Sequence, residues 1–115
     1  MASDRMRRVD EAVREVLSAS VTTDLKDPRV GFVTVTGVST SADLRHARVF
    51  VSVLGSAEEQ QASLDGLQSA HGFLQAGLAR QLRMKHTPAL TFILDDTAER
   101  AARVERLVSE PRGDS

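Results

Sequence analysis

The stretch "LQSAHGFLQAGL", residues 67–78, decides how the middle of this chain folds. Three leucines in it have helical spacing, yet Gly72 and Gly77 interrupt the apolar pattern. A glycine inside a helix costs about 1 kcal/mol relative to alanine. We therefore expect one long helical pattern to break near Gly72 into two helices that pack at an angle.

A break of this kind favours anion binding. The first backbone N–H groups of the second helix have no partner within that helix, and such a helix start is a natural seat for a phosphate. The alternative is structural, since Gly72 and Gly77 would also let this helix approach another one closely. The sequence alone leaves both interpretations open.

Signals for helices lie on both sides of this stretch. Ser56 and Glu59 have the spacing of a capping box before the first of the two helices, and Pro88 ends the second. Ser3 is a candidate cap for an N-terminal helix that ends in "VTTDLKDPRVG" (21–31), and Thr97 is a candidate cap for a final helix. The apolar positions predicted for the first and last helices are Met6, Val9, Val13, Val16, Leu17, Ala101, Val104, Leu107 and Val108.

Three segments have the pattern of β-strands. Residues 32–39 and 45–54 alternate apolar and polar side chains, and "STSADL" between them supplies turn residues, so an antiparallel hairpin is the simplest pairing. The third strand is "ALTFILDD" (89–96), with Leu90 and Phe92 on the same side. The order of elements predicts an α+β fold with helices on one face of a small sheet. We expect residues 1–110 to form a single domain and residues 111–115 to be a disordered tail.

The composition is that of an ordinary soluble globular chain. The chain has 115 residues, of which 41% are hydrophobic and 27% are charged. The absence of cysteine excludes a disulfide scaffold, a thiolate zinc site and a thiol nucleophile. The N-terminal segment "MASDRMRRVDEAV" mixes acids and bases without a long apolar run, so we expect no signal peptide, no membrane span and a cytoplasmic location.

The net charge of −1 hides an uneven distribution. No acidic residue lies between Asp65 and Asp95, and none occurs from Leu44 to Ala57. Segregation of this kind gives a nearly neutral protein a basic face, and such a face attracts a polyanion. The candidate phosphate contacts are Arg45, Arg48, Arg80, Arg83 and Lys85, followed by Arg7, Arg8 and Arg14 on the first helix. For each of them an ordinary solvated charge is the alternative.

The aromatic residues give no support for base stacking. The chain has no Tyr or Trp, and its four phenylalanines (Phe32, Phe50, Phe73 and Phe92) lie in apolar patterns, so we expect all four in the core. Recognition of RNA would then depend on its backbone and shape instead of on unpaired bases.

Catalysis has no support in the sequence. Asp95 and Asp96 are neighbours at a strand end, where side chains point apart, and Asp96 beside Thr97 is better explained as part of a helix cap. The three histidines lack metal-ligand spacing, and no nucleophile elbow, P-loop or dinucleotide fingerprint occurs. We expect no cofactor, metal or small-molecule substrate. A module that binds only protein, through the last helix or a sheet edge, stays the alternative to an RNA-binding domain.

Six segments of the chain occur in an order that is typical of one family. They are "RVDEAVREVL" (8–17), "DPRVGFVTVTGVSTSADL" (27–44), "LRHARVFVSVLG" (44–55), "AHGF" (70–73), "LRMKHTPALTF" (82–92) and "DDT" (95–97). Together they resemble the ribosome-binding factor A family over about residues 5–108.

This resemblance implies a type II KH-like domain in the order α-β-β-α-α-β, followed by a C-terminal helix. A kinked central helix pair would lie on one face of a three-stranded mixed sheet. The family's kink at Ala-x-Gly corresponds to Ala70, His71 and Gly72, which then count as RNA-binding residues together with the cations above. The implied function is binding to the small ribosomal subunit and its 16S rRNA late in maturation, without catalysis.

The chain departs from the family pattern at two positions. Gln75 stands where the family commonly has a basic residue, which weakens one expected phosphate contact. Ala89 stands where an acid commonly follows the proline, which removes a negative charge. Nothing in the sequence resembles an oligomer seam, so we expect a monomer.

Overall fold

The computed structural model of the protein describes residues 4–109. The predicted cap Ser3 and the predicted tail 111–115 lie outside the described residues. The elements in chain order are α1 (Asp4–Ala19), a π-helical turn (Ser20–Asp24), β1 (Val33–Thr40), β2 (His46–Val53), α2 (Ala57–Ser69), α3 (His71–Leu82), β3 (Ala89–Leu94) and α4 (Thr97–Ser109).

The three strands form one mixed sheet in the order β1-β2-β3. Strands β1 and β2 pair antiparallel, which confirms the predicted hairpin, with a bulge at Thr36 between Val35 and Gly37. Strand β3 pairs parallel to β2. A parallel pair needs a crossover connection, and here α2 and α3 form it, so both helices lie on one face of the sheet.

The core lies between this face and the helices α1, α2 and α3. Alternate residues of β2, including Val49 and Val51, are fully buried there, and the side chains of Leu17, Leu74 and Leu78 meet them from the helices. Full burial of one such leucine contributes about 1.5–3 kcal/mol. The structure confirms the α+β fold, with a type II KH-like order and an additional C-terminal helix.

Helix α1 has the predicted apolar pattern, and a π-helical turn continues directly from its last residue, Ala19. Val13, Val16 and Leu17 are buried, as their helical spacing predicts. The chain then continues through a wider helical turn, in which the Leu25 N–H donates to the carbonyl oxygen of Ser20 at 3.0 Å. The helical path therefore extends to Asp24 before the segment that contains the proline.

The start of α2 has the predicted capping box, and its end lies just before the predicted break. Ser56 Oγ accepts the Glu59 N–H at 3.2 Å, and the Glu59 carboxylate accepts the Ser56 N–H at 3.0 Å. A single residue, Ala70 (φ −90°, ψ 9°), separates α2 from α3. The predicted break near Gly72 is therefore confirmed, two residues earlier, at Ala70. Gly72 itself lies in the first turn of α3, and the conformation at Ala70 needs no glycine.

Close packing of the helices depends on a different glycine. A Cβ at Gly66 would lie 2.7 Å from Val30 Cγ2, so α2 packs directly on the segment before β1. A Cβ at Gly72 would meet nothing within 4 Å. A Cβ at Gly77 would make only ordinary contacts, such as 3.7 Å to Ser20 Oγ. The alternative explanation of Gly72 and Gly77 as close-packing residues was therefore wrong.

Helix α4 extends from the end of β3, and its large apolar side chains are exposed to solvent. Val104, Leu107 and Val108 are 58%, 73% and 80% exposed. Thr97, the predicted cap, is instead the first helical residue, and its N–H donates to the Asp95 carboxylate at 2.9 Å. Within residues 4–109, none of the helices has the length and apolar content to cross a membrane.

Candidate nucleic-acid interface

The outer side of α3 presents small side chains that lead to two arginines. Gly72, Ala76 and Ala79 lie at a spacing that places them along one side of the helix, away from its buried leucines. Arg80 and Arg83 continue this side, exposed, at the C-terminal end of α3. The opposite side of α3 is buried against α1 and the sheet. A polymer can therefore lie flat against this side and meet positive charge at one end.

The start of α3 brings together the predicted residues of the kink. Ala70 is the N-cap, and no side chain caps the first turn of the helix. His71 is exposed, and its Nδ1 atom lies 2.7 Å from the carbonyl oxygen of Gln68. The helix dipole adds partial positive charge at this end. These features suit the binding of an anion beside Gly72.

The end of α3 holds an arginine in an unusual conformation. Arg83 has φ 50° and ψ 42°, and its N–H donates to the carbonyl oxygen of Ala79 at 3.1 Å. This left-handed conformation costs a residue with a side chain about 1–2 kcal/mol, and glycine usually occupies the position. The chain thus retains a guanidinium group where glycine would be more stable.

Helix α1 adds one cation to this end of α3. Arg8 lines a shallow groove of about 250 Å³ together with Leu82 and Met84, which flank Arg83 in sequence. Lys85 follows and is exposed. Arg8, Arg80, Arg83 and Lys85 therefore surround the same end of the helix.

The predicted cations differ in whether a carboxylate neutralises them. Arg7 pairs with Asp4, and Arg14 pairs with Glu11, with 3.0 Å between Arg14 Nε and Glu11 Oε2. The Arg14 hydrogen bond lowers the pKa of Glu11 below its ordinary value. None of the ion pairs within residues 4–109 involves Arg8, Arg45, Arg48, Arg80, Arg83 or Lys85.

Arg48 belongs to a second surface. Arg48 alternates along β2 with the buried Ala47 and Val49, so it projects from the sheet face opposite the helices. Its guanidinium carbon lies 5.9 Å from the ring centre of Phe50, which is a cation–π contact. Arg45 is exposed just before the strand, where the same alternation gives it the side of Ala47 and not that of Arg48. The expectation of one basic face was therefore wrong, because the cations divide between a helix side and a sheet side.

We call the first group the helix surface and the second the sheet surface. The helix surface consists of Arg8, Ala70, His71, Gly72, Arg80, Arg83 and Lys85. The sheet surface consists of the outward side chains of the three strands and their ends, including Arg48.

The prediction that all four phenylalanines lie in the core was wrong. Phe92 is 8% exposed and belongs to the core, but Phe73 is 49% exposed and Phe32 is 81% exposed. Phe50 is half-buried on the sheet surface. Phe73 lies next to a buried leucine on α3, yet one residue of a helix turns the side chain by about 100° toward solvent. The exclusion of base stacking therefore does not hold.

Two glutamines tie the central helices to strand β3. The Gln68 side chain donates to the Leu90 carbonyl at 3.1 Å and accepts the Phe92 N–H at 3.3 Å. Gln75 Nε2 donates to the carbonyl oxygen of the buried Pro88 at 2.7 Å. Gln75, the residue that departs from the family pattern, thus anchors the loop before β3. Gln68 carries no signal in the sequence, because only the register of α2 against β3 reveals its partners.

The neighbouring carboxylates at the end of β3 have separate partners. Asp95 accepts the Thr36 hydroxyl at 2.6 Å and the Thr97 N–H, and these hydrogen bonds lower its pKa to about 2. Asp96 accepts from Arg100 Nε at 2.8 Å. Because the two carboxylates point apart and Asp95 is ionised at neutral pH, this pair is part of the structure that positions α4.

Known proteins resemble the chain in both sequence and structure. A sequence profile described as ribosome-binding factor A matches residues 5–108. Ribosome-binding factor A of Thermomicrobium roseum is 47% identical, over 96% of this chain and 85% of that protein. The crystal structure of ribosome-binding factor A from Thermus thermophilus has a TM-score of 0.70 at 28% identity, over 77% of this chain and 93% of that one. A homology model of the Thermus thermophilus factor, fitted into the cryo-EM map of a 30S complex, has a TM-score of 0.65 at 28% identity, over 76% of this chain and 92% of that one.

Proposed function

The chain belongs to the ribosome-binding factor A family, and on this premise we propose that it binds the small ribosomal subunit through its 16S rRNA during late maturation. The related Thermus thermophilus factor has been fitted into a 30S complex, which supports this partner. In this proposal the protein catalyses no reaction and holds a local RNA conformation until maturation is complete. It acts in the cytoplasm as a monomer, with residues 1–110 as one domain.

The observation that carries the proposal is the outer side of α3. Its small side chains at Gly72, Ala76 and Ala79 allow an RNA backbone to lie close to the helix. The cations at its end, led by Arg80 and Arg83, have no ion pair among the described residues and supply charge-assisted hydrogen bonds to phosphates. The helix surface therefore recognises the RNA backbone and its shape.

The number of phosphate contacts sets the dependence of binding on salt. Each phosphate contact on single-stranded RNA contributes about −0.7 to the slope of log K against log salt. Four contacts, from Arg8, Arg80, Arg83 and Lys85, give a slope of about −3. We expect Arg7 and Arg14 to add little, because Asp4 and Glu11 already neutralise them.

Co-sedimentation with isolated small subunits at several salt concentrations tests this proposal. The test variant combines Arg80→Ala, Arg83→Gly and Lys85→Ala. Glycine at position 83 suits the left-handed backbone, so the variant keeps its fold. We expect binding at least about tenfold weaker and a salt slope flatter by about 2, since three phosphate contacts are lost.

A control variant removes the same number of charges from α4, with Arg100, Arg103 and Arg106 each replaced by alanine. We expect it to bind like the unchanged protein. Equal losses in both variants would mean that binding follows net charge alone, which contradicts the helix surface as the site. Unchanged binding of the first variant contradicts it as well. Equal pelleting with large subunits contradicts the choice of partner.

The uncovered face of α4 favours a second candidate function, a module that binds only protein. Val104, Leu107 and Val108 form an exposed apolar group on that helix. A partner held by apolar contacts gives binding that salt hardly changes, whereas phosphate contacts give a steep loss. Salt-insensitive pelleting with small subunits, without binding to naked 16S rRNA, would favour this second function.

A further inference from the structure

The outward face of the sheet carries side chains that the proposed function does not use. The register places Thr34 opposite Ser52 on this face, and Arg48 opposite Thr91. These four side chains are exposed, whereas the neighbouring Val49, on the other face, is fully buried. The sheet surface is therefore a flat, solvent-facing platform of three strands.

Two aromatic rings belong to this platform. Phe50 lies half-buried on the central strand β2, with the Arg48 guanidinium over its ring. Phe32, at one end, accepts the Leu54 N–H through its carbonyl oxygen at 3.1 Å, and both side chains are largely exposed, at 81% and 75%. Phe50 and Leu54 are separated by about 13 Å along β2. The rings therefore offer two separate stacking positions on one face.

The charge of the platform suits a polyanion. None of the three strands contains an acidic residue. His46 and Arg48 lie at one end of its outward face. Two ionised carboxylates lie only at the margins, where Asp43 accepts from the Ser41 hydroxyl and the Arg45 N–H, and Asp95 accepts from Thr36 and Thr97.

We propose that the sheet surface binds unpaired nucleotides of RNA, whose bases stack on Phe50 and Phe32 while Arg48 contacts a phosphate. Exposed aromatic side chains on an open sheet stack about two or three bases in other RNA-binding folds. The inference rests on the proposed function in that the partner is RNA. It goes beyond that function because it assigns a second site on the face of the sheet opposite α3.

The observations favour RNA over a protein partner. An apolar protein surface placed on this face would bury the hydroxyl groups of Thr34, Ser52 and Thr91 without partners, which costs free energy. It would also bury the Arg48 guanidinium without a counter-charge. Nucleotides supply a phosphate for Arg48, ring faces for the phenylalanines and acceptors for the hydroxyl groups.

The first test is an NMR titration of the full ¹⁵N-labelled chain with a twelve-nucleotide oligouridine and an oligoadenylate of the same length. We expect the amide signals of Thr34, Arg48 and Ser52 to shift. The variant Phe32→Leu with Phe50→Leu keeps apolar side chains on the strands but removes both rings. We expect it to bind at least about tenfold more weakly, since each stacked base contributes a factor of that order.

The matched control is Phe73→Leu, which removes an exposed ring from α3 and leaves the sheet unchanged. We expect it to bind both oligonucleotides like the unchanged protein. Shifts confined to α1 and α3, an unaffected double variant, or no binding of either oligonucleotide would each overturn the inference.

The subunit assay separates this inference from the proposed function. Salt-sensitive pelleting of the unchanged protein without oligonucleotide binding on the sheet overturns the inference and leaves the proposed function standing. Oligonucleotide binding on the sheet without pelleting supports the inference and removes the proposed partner. Weaker pelleting of the double variant with normal oligonucleotide binding means that the sheet contacts a ribosomal protein, which also overturns the inference.

Discussion

At the scale of single residues, the two glycines Gly66 and Gly72 lie in opposite surroundings, one packed and one open. Gly66 is buried, and a Cβ there would overlap Val30, whose branched side chain has few alternative positions. Gly72 is exposed, and a Cβ there would lie in open space. The chain bears the helix cost of glycine at 72 without a packing reason, which supports a role for the bare backbone in contact with a partner.

These surroundings predict opposite effects of alanine. We expect Gly66→Ala to destabilise the protein by about 1–3 kcal/mol, because an added methyl group overpacks the contact with Val30. We expect Gly72→Ala to stabilise it by about 0.5–1 kcal/mol, because alanine is the better helix residue. Urea unfolding followed by circular dichroism measures both values. A clear loss of stability in Gly72→Ala would show that the position is constrained by packing.

At the scale of elements, one carboxylate joins the end of β3 to its neighbours. Asp95 lies between β3 and α4, and it accepts hydrogen bonds from Thr36 at the bulge of β1 and from Thr97 at the start of α4. Its N–H donates to the Val51 carbonyl at 2.7 Å. Strand β1, strand β2 and helix α4 therefore meet at this residue.

The lowered pKa of Asp95 predicts a loss of stability in acid. The ordinary value is 3.8 and the folded value is about 2, so the carboxylate contributes fully above about pH 4 and its contribution disappears as the pH falls through 2. We expect Asp95→Asn to unfold at lower urea concentration than the unchanged protein at pH 7. We expect this difference to shrink between pH 4 and pH 2 in parallel urea titrations. A difference that stays constant over that range would contradict the assignment.

At the scale of the whole molecule, the core and helix α4 are separate in their packing. Among the residues whose burial the structure describes, the buried cluster draws on α1, the three strands, α2 and α3, and none of its members comes from α4. The apolar side chains of α4 that the structure describes are exposed instead. The helix therefore contributes little to the folded core, although its charges and apolar positions are accessible to a partner.

This separation predicts that the core folds without α4. We expect a chain that ends at Asp96 to keep its stability within about 1 kcal/mol, because exposed side chains contribute little. Thermal unfolding by circular dichroism tests the expectation, with the full chain as reference. A collapse of the unfolding transition would show that α4 supports the core. Co-sedimentation of the shortened chain then measures whether α4 contacts the small subunit.

The limits of prediction from the sequence follow from how local each signal is. The capping box at Ser56, the helical spacing in α1 and the alternation along β2 all depend on neighbours within a few residues, and each was predicted correctly. The contacts of Gly66 with Val30 and of Gln68 with Leu90 depend on residues brought together by the fold. Their reason lies outside the local pattern.

The sequence by itself determined the kinds and order of the elements, because periodicity, capping and proline act along the chain. It also marked the candidate cations, through two stretches without acids. The tertiary structure alone decided that Arg48 and Arg80 lie on different surfaces and that Phe32 and Phe73 are exposed. The physical reason is the crossover between β2 and β3, which places the helices α2 and α3 on one face of the sheet and leaves the other open.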